Sequence, residues 1–304
     1  MTQWVWLDGR LVDAAGPHLP VTDRGFQLGD GIFETARARR GVVVELDEHL
    51  ARLHESAATI DLRLPYDDAT LAGGIAELLA AESLAGRGTD GQPPGDAALR
   101  ITVSRGSFER RGLLPERADA VVPTVAMQAW PYAPPPADLL DRGVRAVAST
   151  VRRDPASPLA GVKSTSRADY VYARLEAARA GADDALFLTI DGAVSEATAA
   201  NVWTVRGRTL ATPPREAAIL AGTTRTWLLA HAGALGLEPA EAVIRPEDLV
   251  AADEAFLSSS VAGIVPLTSF ARRPVGNGRP GPWTTTIRDA REAWIDAASL
   301  AAVR

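Results

Sequence analysis

An α/β chain of two domains is the fold class the sequence predicts, on three observations. At 304 residues the chain is long for one core, since domains commonly span roughly 100–200 residues. Strand-like and helix-like periodicities alternate along almost its whole length. One stretch, Trp130-Pro131-Tyr132-Ala133-Pro134-Pro135-Pro136, interrupts that alternation, and consecutive prolines stiffen an extended linker. The expected division is an N-terminal α/β domain over 1–129, a linker over 130–137 and a larger C-terminal α/β domain over 138–304.

Each element has a local reason. Trp4 to Val12 reads as a hairpin because Asp8-Gly9 supplies a turn between two apolar runs. Ile32 to Ala38 alternates as a strand does. Asp47 to Ile60 is an amphipathic helix, with Asp47 as its expected N-cap and Leu50, Leu53, Ala57 and Ile60 on one face. Leu71 to Leu84 repeats the pattern, and Gly86 to Asp96, rich in Gly, Pro and Asp, reads as a surface loop. Leu99 to Ser104 and Val121 to Ala129 are strands. Beyond the linker come strand Val144 to Thr150, helix Ala168 to Ala180, and strands Ala185 to Ile190 and Asn201 to Val205. Helix Thr223 to Ala234, strand Glu254 to Leu257 and a helix from Thr284 to Ala301 complete the order.

Composition removes several classes of function. A net charge of −6 argues against a nucleic-acid binder, which carries a basic surplus. With no cysteine there is no disulfide framework, thiolate metal site or cysteine nucleophile, and no metal is expected. Met1 to Asp8 lacks the basic and apolar regions of a signal peptide, and no run of about 18 apolar residues suggests a membrane span. A cytoplasmic location is the expectation.

The basic residues are uneven. Of the 32, 31 are arginine and the single lysine is Lys163. Arginine can replace lysine in a solvated ion pair, but it stays protonated and cannot form an imine; a lysine amine can attack a carbonyl. Lys163 is therefore a candidate for amine chemistry, although composition alone leaves chance survival equally open. It sits in Gly161-Val162-Lys163-Ser164-Thr165-Ser166, where small neighbours leave room for a bulky group.

An imine-forming lysine suggests either pyridoxal phosphate or a Schiff-base aldolase. Pyridoxal phosphate needs an anion site and a carboxylate for its ring nitrogen. Gly222-Thr223-Thr224 opens a helix whose free N–H groups favour an anion, and Ser258-Ser259-Ser260 offers a second set of hydroxyls. Each alone is weak, since such segments are commonly ordinary helix caps or loops. Glu196, between apolar strands, is a candidate carboxylate or else a solvent-facing loop residue.

These segments, in their order, resemble the fold-type IV (class IV) pyridoxal-phosphate aminotransferases, most nearly the D-amino-acid transaminases and aminodeoxychorismate lyases. The matches are Asp23-Arg24-Gly25-Phe26-Gln27-Leu28-Gly29-Asp30-Gly31-Ile32-Phe33-Glu34-Thr35, His49-Leu50-Ala51-Arg52-Leu53, Lys163-Ser164-Thr165-Ser166 and Gly181 to Leu186. Asp191 to Asn201 through Glu196, Thr212-Pro213, Ile219 to Arg225 and Ser258 to Pro266 follow. The resemblance implies two domains, the larger C-terminal one binding the cofactor and containing a pseudo-barrel. It also implies pyridoxal 5′-phosphate as cofactor, a homodimer, and exchange between an amino donor and a 2-oxo acid. Lys163 would carry the cofactor through a Schiff base and shuttle a proton, and Glu196 would pair with the pyridine nitrogen. Arg52, Thr223, Thr224, Ser259 and Ser260 would hold the phosphate.

For the substrate, Ser104 to Pro115 resembles the loop from which D-amino-acid transaminases bind a carboxylate, and Arg110 falls on the binding arginine, with Arg111 beside it. Two departures stand out: Gly112 replaces the usual histidine, and Phe33 replaces the usual tyrosine. The first reading is a D-amino-acid transaminase. The alternative is aminodeoxychorismate lyase, which eliminates pyruvate to leave 4-aminobenzoate. A branched-chain L-aminotransferase matches less well, because the aromatic residue that closely follows its lysine is delayed here to Tyr170.

Overall fold

The computed structural model describes residues 3–16, 18–86, 95–108, 112–114 and 121–303. The chain forms two compact units. Unit 1 comprises residues 1–133, 162–167 and 295–304; unit 2 comprises residues 134–161 and 168–294.

Unit 1 contains β1 (Trp4–Leu7), β2 (Arg10–Asp13), α1 (Arg24–Leu28), β3 (Gly31–Arg39), β4 (Val42–Val43), α2 (Leu46–Thr59), α3 (Asp68–Ala81), β5 (Asp96–Ser104) and β6 (Thr124–Pro131). Its strands form one antiparallel sheet in the order β2-β1-β6-β5-β3-β4. The β1–β2 hairpin turns through Asp8 and Gly9, both at positive φ (45° and 90°), the mirror-image turn that matches strand twist. Helix α2 packs on β3, and α3 packs on β1 and β6. Trp6, Ile32, Leu50, Leu53, Leu71, Leu78, Leu99 and Ile101 are buried together in the resulting core. Asp47 is not the N-cap of α2. Glu45 occupies that position in a left-handed conformation, its side chain making no cap bond to the helix amides, and Asp47 lies in the first turn, where its charge favours the helix dipole. Helix α3 starts earlier than its apolar repeat, because Asp67 caps it through the Thr70 N–H.

Unit 2 contains α4 (Ala137–Arg142), β7 (Val144–Arg153), α5 (Ala168–Arg179), β8 (Asp184–Thr189), β9 (Val194–Ala197), β10 (Asn201–Arg206), β11 (Thr209–Thr212) and α6 (Thr223–His231). Next come β12 (Glu238–Glu241), α7 (Pro246–Val250), β13 (Glu254–Ser259), β14 (Gly263–Phe270) and β15 (Arg273–Pro274). Helix α8 (Pro282–Val303) begins in unit 2, and its residues from Ile295 onward belong to unit 1. The strand path β10-β13-β14-β7-β8-β9 returns to β10 through Asn201 and Glu196, so six strands close into a barrel. β7 is parallel to both β8 and β14, and the other barrel pairs are antiparallel. Leu186, Val194, Val202, Leu257, Val265 and Leu267 are buried together within it. At the start of α8, Glu254 accepts from the Trp283 and Thr284 amides, satisfying donors the helix itself leaves open.

Candidate active site

In unit 1, residues 163–165 pair along the edge of β3. The Phe33 N–H donates to the Lys163 carbonyl (2.9 Å) and the Thr165 N–H to Gly31 (2.9 Å). Thr165 Oγ1 donates to Gly29 (2.8 Å), and the Lys163 N–H donates to Ser56 Oγ on α2 (3.3 Å). The backbone under the lone lysine is thus fixed on both sides. Lys163 Nζ lies 4.8 Å from the centre of the Phe33 ring. Arg100 Cζ on β5 lies 3.7 Å from the same centre, and Arg167 Cζ 5.6 Å.

Three cationic side chains gathered at one aromatic ring favour an anion nearby. Arg100 donates to Thr102 Oγ1 (3.0 Å) and makes no ion pair among the described residues. Burial, with the charge of Arg167 added, holds its pKa below the ordinary arginine value. Sequence reasoning missed Arg100. The available signal was a charged residue inside the apolar strand Ala98-Leu99-Arg100-Ile101.

Alternation along β3 points Glu34 away from Phe33, towards α2. There Glu34 Oε1 accepts from Arg52 Nε (2.8 Å) and Oε2 from Arg52 Nη2 (2.6 Å) and His49 Nδ1 (2.7 Å). Burial alone would raise the carboxyl pKa; the bonds from Arg52 and His49 and the arginine charge outweigh it and hold Glu34 at about 2. Arg52, expected at the phosphate, is therefore forked on a buried carboxylate. Arg24 of the Asp-Arg-Gly motif is buried as well: it pairs with Asp30 (2.7 Å) and donates to the carbonyls of Gly112 (2.7 Å) and Leu113 (2.5 Å). Arg110 and Arg111 lie outside the described residues.

In unit 2, Glu196 is buried on β9. Its Oε1 accepts from Tyr170 (3.2 Å) and lies 3.6 Å from Arg153 Nη2; its Oε2 accepts from the Leu220 N–H (2.8 Å). It is thus a partnered, buried carboxylate rather than a solvent-facing loop residue. Tyr170, the delayed aromatic residue, lies beside the carboxylate that the resemblance assigns to the ring nitrogen.

Thr223 and Thr224 open α6. Gly222 before them provides no side-chain cap, which leaves the first-turn amides without a donor-satisfying cap residue. Thr223 Oγ1 lies 3.1 Å from Ser260 Oγ, while the buried Thr224 Oγ1 has no hydrogen-bond partner among the described residues. Ser259 Oγ instead accepts from the Ala262 N–H (3.1 Å), closing the turn between β13 and β14. An uncapped helix start with an unpartnered buried hydroxyl fits a phosphate, and a held buried carboxylate fits a protonated pyridine nitrogen. Among the described residues no cluster resembles a metal site, and no helix is long and apolar enough to cross a membrane.

The family model for class IV amino-transferases matches residues 31–270, and the chain belongs to that family. It is an aminotransferase of two-domain α/β fold that uses pyridoxal phosphate. A provisionally named branched-chain-amino-acid aminotransferase of Methanocaldococcus jannaschii is 33% identical over 95% of this chain and 97% of its own. The D-alanine aminotransferase of Bacillus licheniformis is 30% identical over 94% and 95%. An aminodeoxychorismate lyase of Bacillus subtilis is 28% identical over 88% and 86%. Among solved structures, the branched-chain aminotransferase of Thermoproteus uzoniensis with norvaline superposes with a TM-score of 0.84 at 31% identity, covering 97% of this chain and 95% of that one.

Proposed function

We propose that the chain moves the amino group of an α-amino acid, of D configuration in the first reading, to a 2-oxo acid in two half-reactions. The observation that carries this reading is the convergence of Lys163 Nζ and Arg100 on the ring of Phe33. Pyridoxal 5′-phosphate, when bound, supplies an aldehyde for amine exchange and a ring that withdraws the charge left on the substrate carbon. Lys163 would hold the cofactor through its amine, and the same amine, when free, would accept and return the substrate proton. Glu196, fixed by Tyr170 and the Leu220 amide, keeps a proton on the ring nitrogen. Thr223, Thr224 and Ser260 hold the phosphate with the amides of α6. Ser259 contributes through its backbone, and Arg52 adds charge from its seat on Glu34.

Arg100 binds the substrate carboxylate beside Phe33, supplying a donor that the missing tyrosine hydroxyl and the histidine replaced by Gly112 do not. The D reading draws on similarity to the D-alanine enzyme and on the loop where Arg110 falls, whose Gly112 and Leu113 carbonyls Arg24 holds. Similarity to branched-chain enzymes and to a lyase supports two other readings. We further propose a homodimer: Phe26, Leu113, Leu114 and Val122 are exposed apolar side chains on unit 1, suited to being covered by a second copy. Light scattering reading a monomer would remove that part.

The test is a half-reaction panel of D- and L-amino acids read by loss of cofactor absorbance, with D-alanine and 2-oxoglutarate assayed beside aminodeoxychorismate. Turnover of D-alanine supports the first reading. Response to L-leucine but not D-alanine would overturn the stereochemical assignment, and pyruvate from aminodeoxychorismate without an amino acceptor would establish the lyase.

A further inference from the structure

The segment 218–222 links the surroundings of Glu196 to the start of α6, and side chains from the barrel strands fix it at three points. Ala218, a non-glycine residue at φ 58°, is held in the left-handed region. Its carbonyl accepts from Ser195 Oγ (3.1 Å) on β9 and from Arg153 Nε (3.3 Å) and Nη2 (3.2 Å) on β7. Two residues on, the Leu220 N–H donates to Glu196 Oε2 (2.8 Å), while the Leu220 carbonyl accepts from Asn201 Nδ2 (2.8 Å). At Gly222 a Cβ would lie 2.2 Å from Asn201 Oδ1, so the backbone there runs directly against the Asn201 amide. Thr223 and α6 follow at once. Asn201 is itself registered opposite Glu196 by the β9–β10 pair that closes the barrel.

We propose that residues 218–222 form a strap that sets the spacing between the Glu196 carboxylate and the phosphate-binding start of α6, with Asn201 and Arg153 as its positioning residues. The inference rests on the reading in which Glu196 meets the pyridine nitrogen and Thr223 and Thr224 meet the phosphate. Neither Asn201 nor Arg153 is assigned a contact with the cofactor. Both hold one backbone segment, Arg153 also lying 3.6 Å from Glu196 Oε1, so loosening that segment disturbs both ends of the cofactor together.

The test uses the full chain loaded with pyridoxal 5′-phosphate or, separately, with pyridoxal, which lacks the phosphate. Two quantities are read: the ratio of the two dissociation constants by equilibrium dialysis, and the pH midpoint of bound-cofactor absorbance. Asn201→Asp keeps the shape but removes the donor to Leu220. It should lower the affinity ratio about tenfold, the scale for a buried carbonyl left without its donor, and also move the absorbance midpoint. Thr224→Val should change only the ratio, and Glu196→Gln only the midpoint. If Asn201→Asp moves one quantity or neither while the two controls behave as stated, the strap is wrong and the cofactor reading stands. If the controls also move nothing, the cofactor reading itself fails. Should Asn201→Asp not fold, Gly222→Ala with and without Asn201→Ala decides. The clash of Gly222→Ala should be relieved in the double variant, and a double variant no better than the single one overturns the proposal.

Discussion

Replacing Glu34 by glutamine should destabilise unit 1 by about 3 kcal/mol at neutral pH, and the deficit should close in acid. The Glu34 side chain is 1% exposed and accepts three bonds from Arg52 and His49. Its carboxyl is held at about 2 against an ordinary 4.5. At about 1.4 kcal/mol per pH unit, that difference corresponds to about 3 kcal/mol of stability. A second route agrees, since removing one partner from a buried ion pair costs roughly 3–5 kcal/mol because the remaining charge is left uncompensated. The folded pKa lies below the unfolded one, so the contribution is complete above about pH 4.5 and is lost as pH falls towards about 2. Urea unfolding followed by tryptophan fluorescence, on both proteins at pH 7 and at steps down to about pH 2.5, measures this. A deficit below about 1 kcal/mol at pH 7, or one that stays constant into acid, would refute the reasoning.

Lys163→Arg keeps the charge and should abolish both turnover and cofactor absorbance; transfer activity in that variant would return the lysine to chance survival. Arg100→Gln should raise KM for α-amino acids at least about tenfold more than for 1-phenylethylamine, which has no carboxylate to lose. The same comparison on Arg110→Ala and Arg111→Ala separates the loop arginines from the strand arginine, and equal losses on acid and amine count against whichever residue shows them. Glu254→Ala leaves the amides of Trp283 and Thr284 without their acceptor, and should lower stability by about 1–3 kcal/mol in thermal unfolding. An unchanged midpoint would mean that water replaces the carboxylate.

What could be read from the sequence was whatever lay close together in it. Helix α2 was visible because Leu50, Leu53 and Ala57 repeat at helical spacing, and the first hairpin because Asp8-Gly9 fits the turn. Lys163 stood out only against an arginine background, and the resemblance ordered Glu196 and Thr223 behind it. Long-range features were not legible. Barrel closure depends on one register pair between a four-residue strand and β10, too short a pattern to distinguish from a loop. Arg100 looked like one of many arginines until strand pairing placed it beside Phe33, and Glu34 stood in the sequence only as one member of a motif until α2 supplied Arg52 and His49. Asp47 failed as a cap because Glu45, two residues earlier, already turns the chain into α2. No local pattern says that residues 163–165 will lie along β3, since the partner strand is far away in the chain.

The most direct test of the account is borohydride reduction of the purified protein followed by peptide mass mapping. Lys163 is the single lysine, so the expected result is loss of the yellow absorbance and one pyridoxyl group on the peptide containing it. A protein that gains no absorbance with added pyridoxal 5′-phosphate, or a label found only on the terminal amine, would contradict the account.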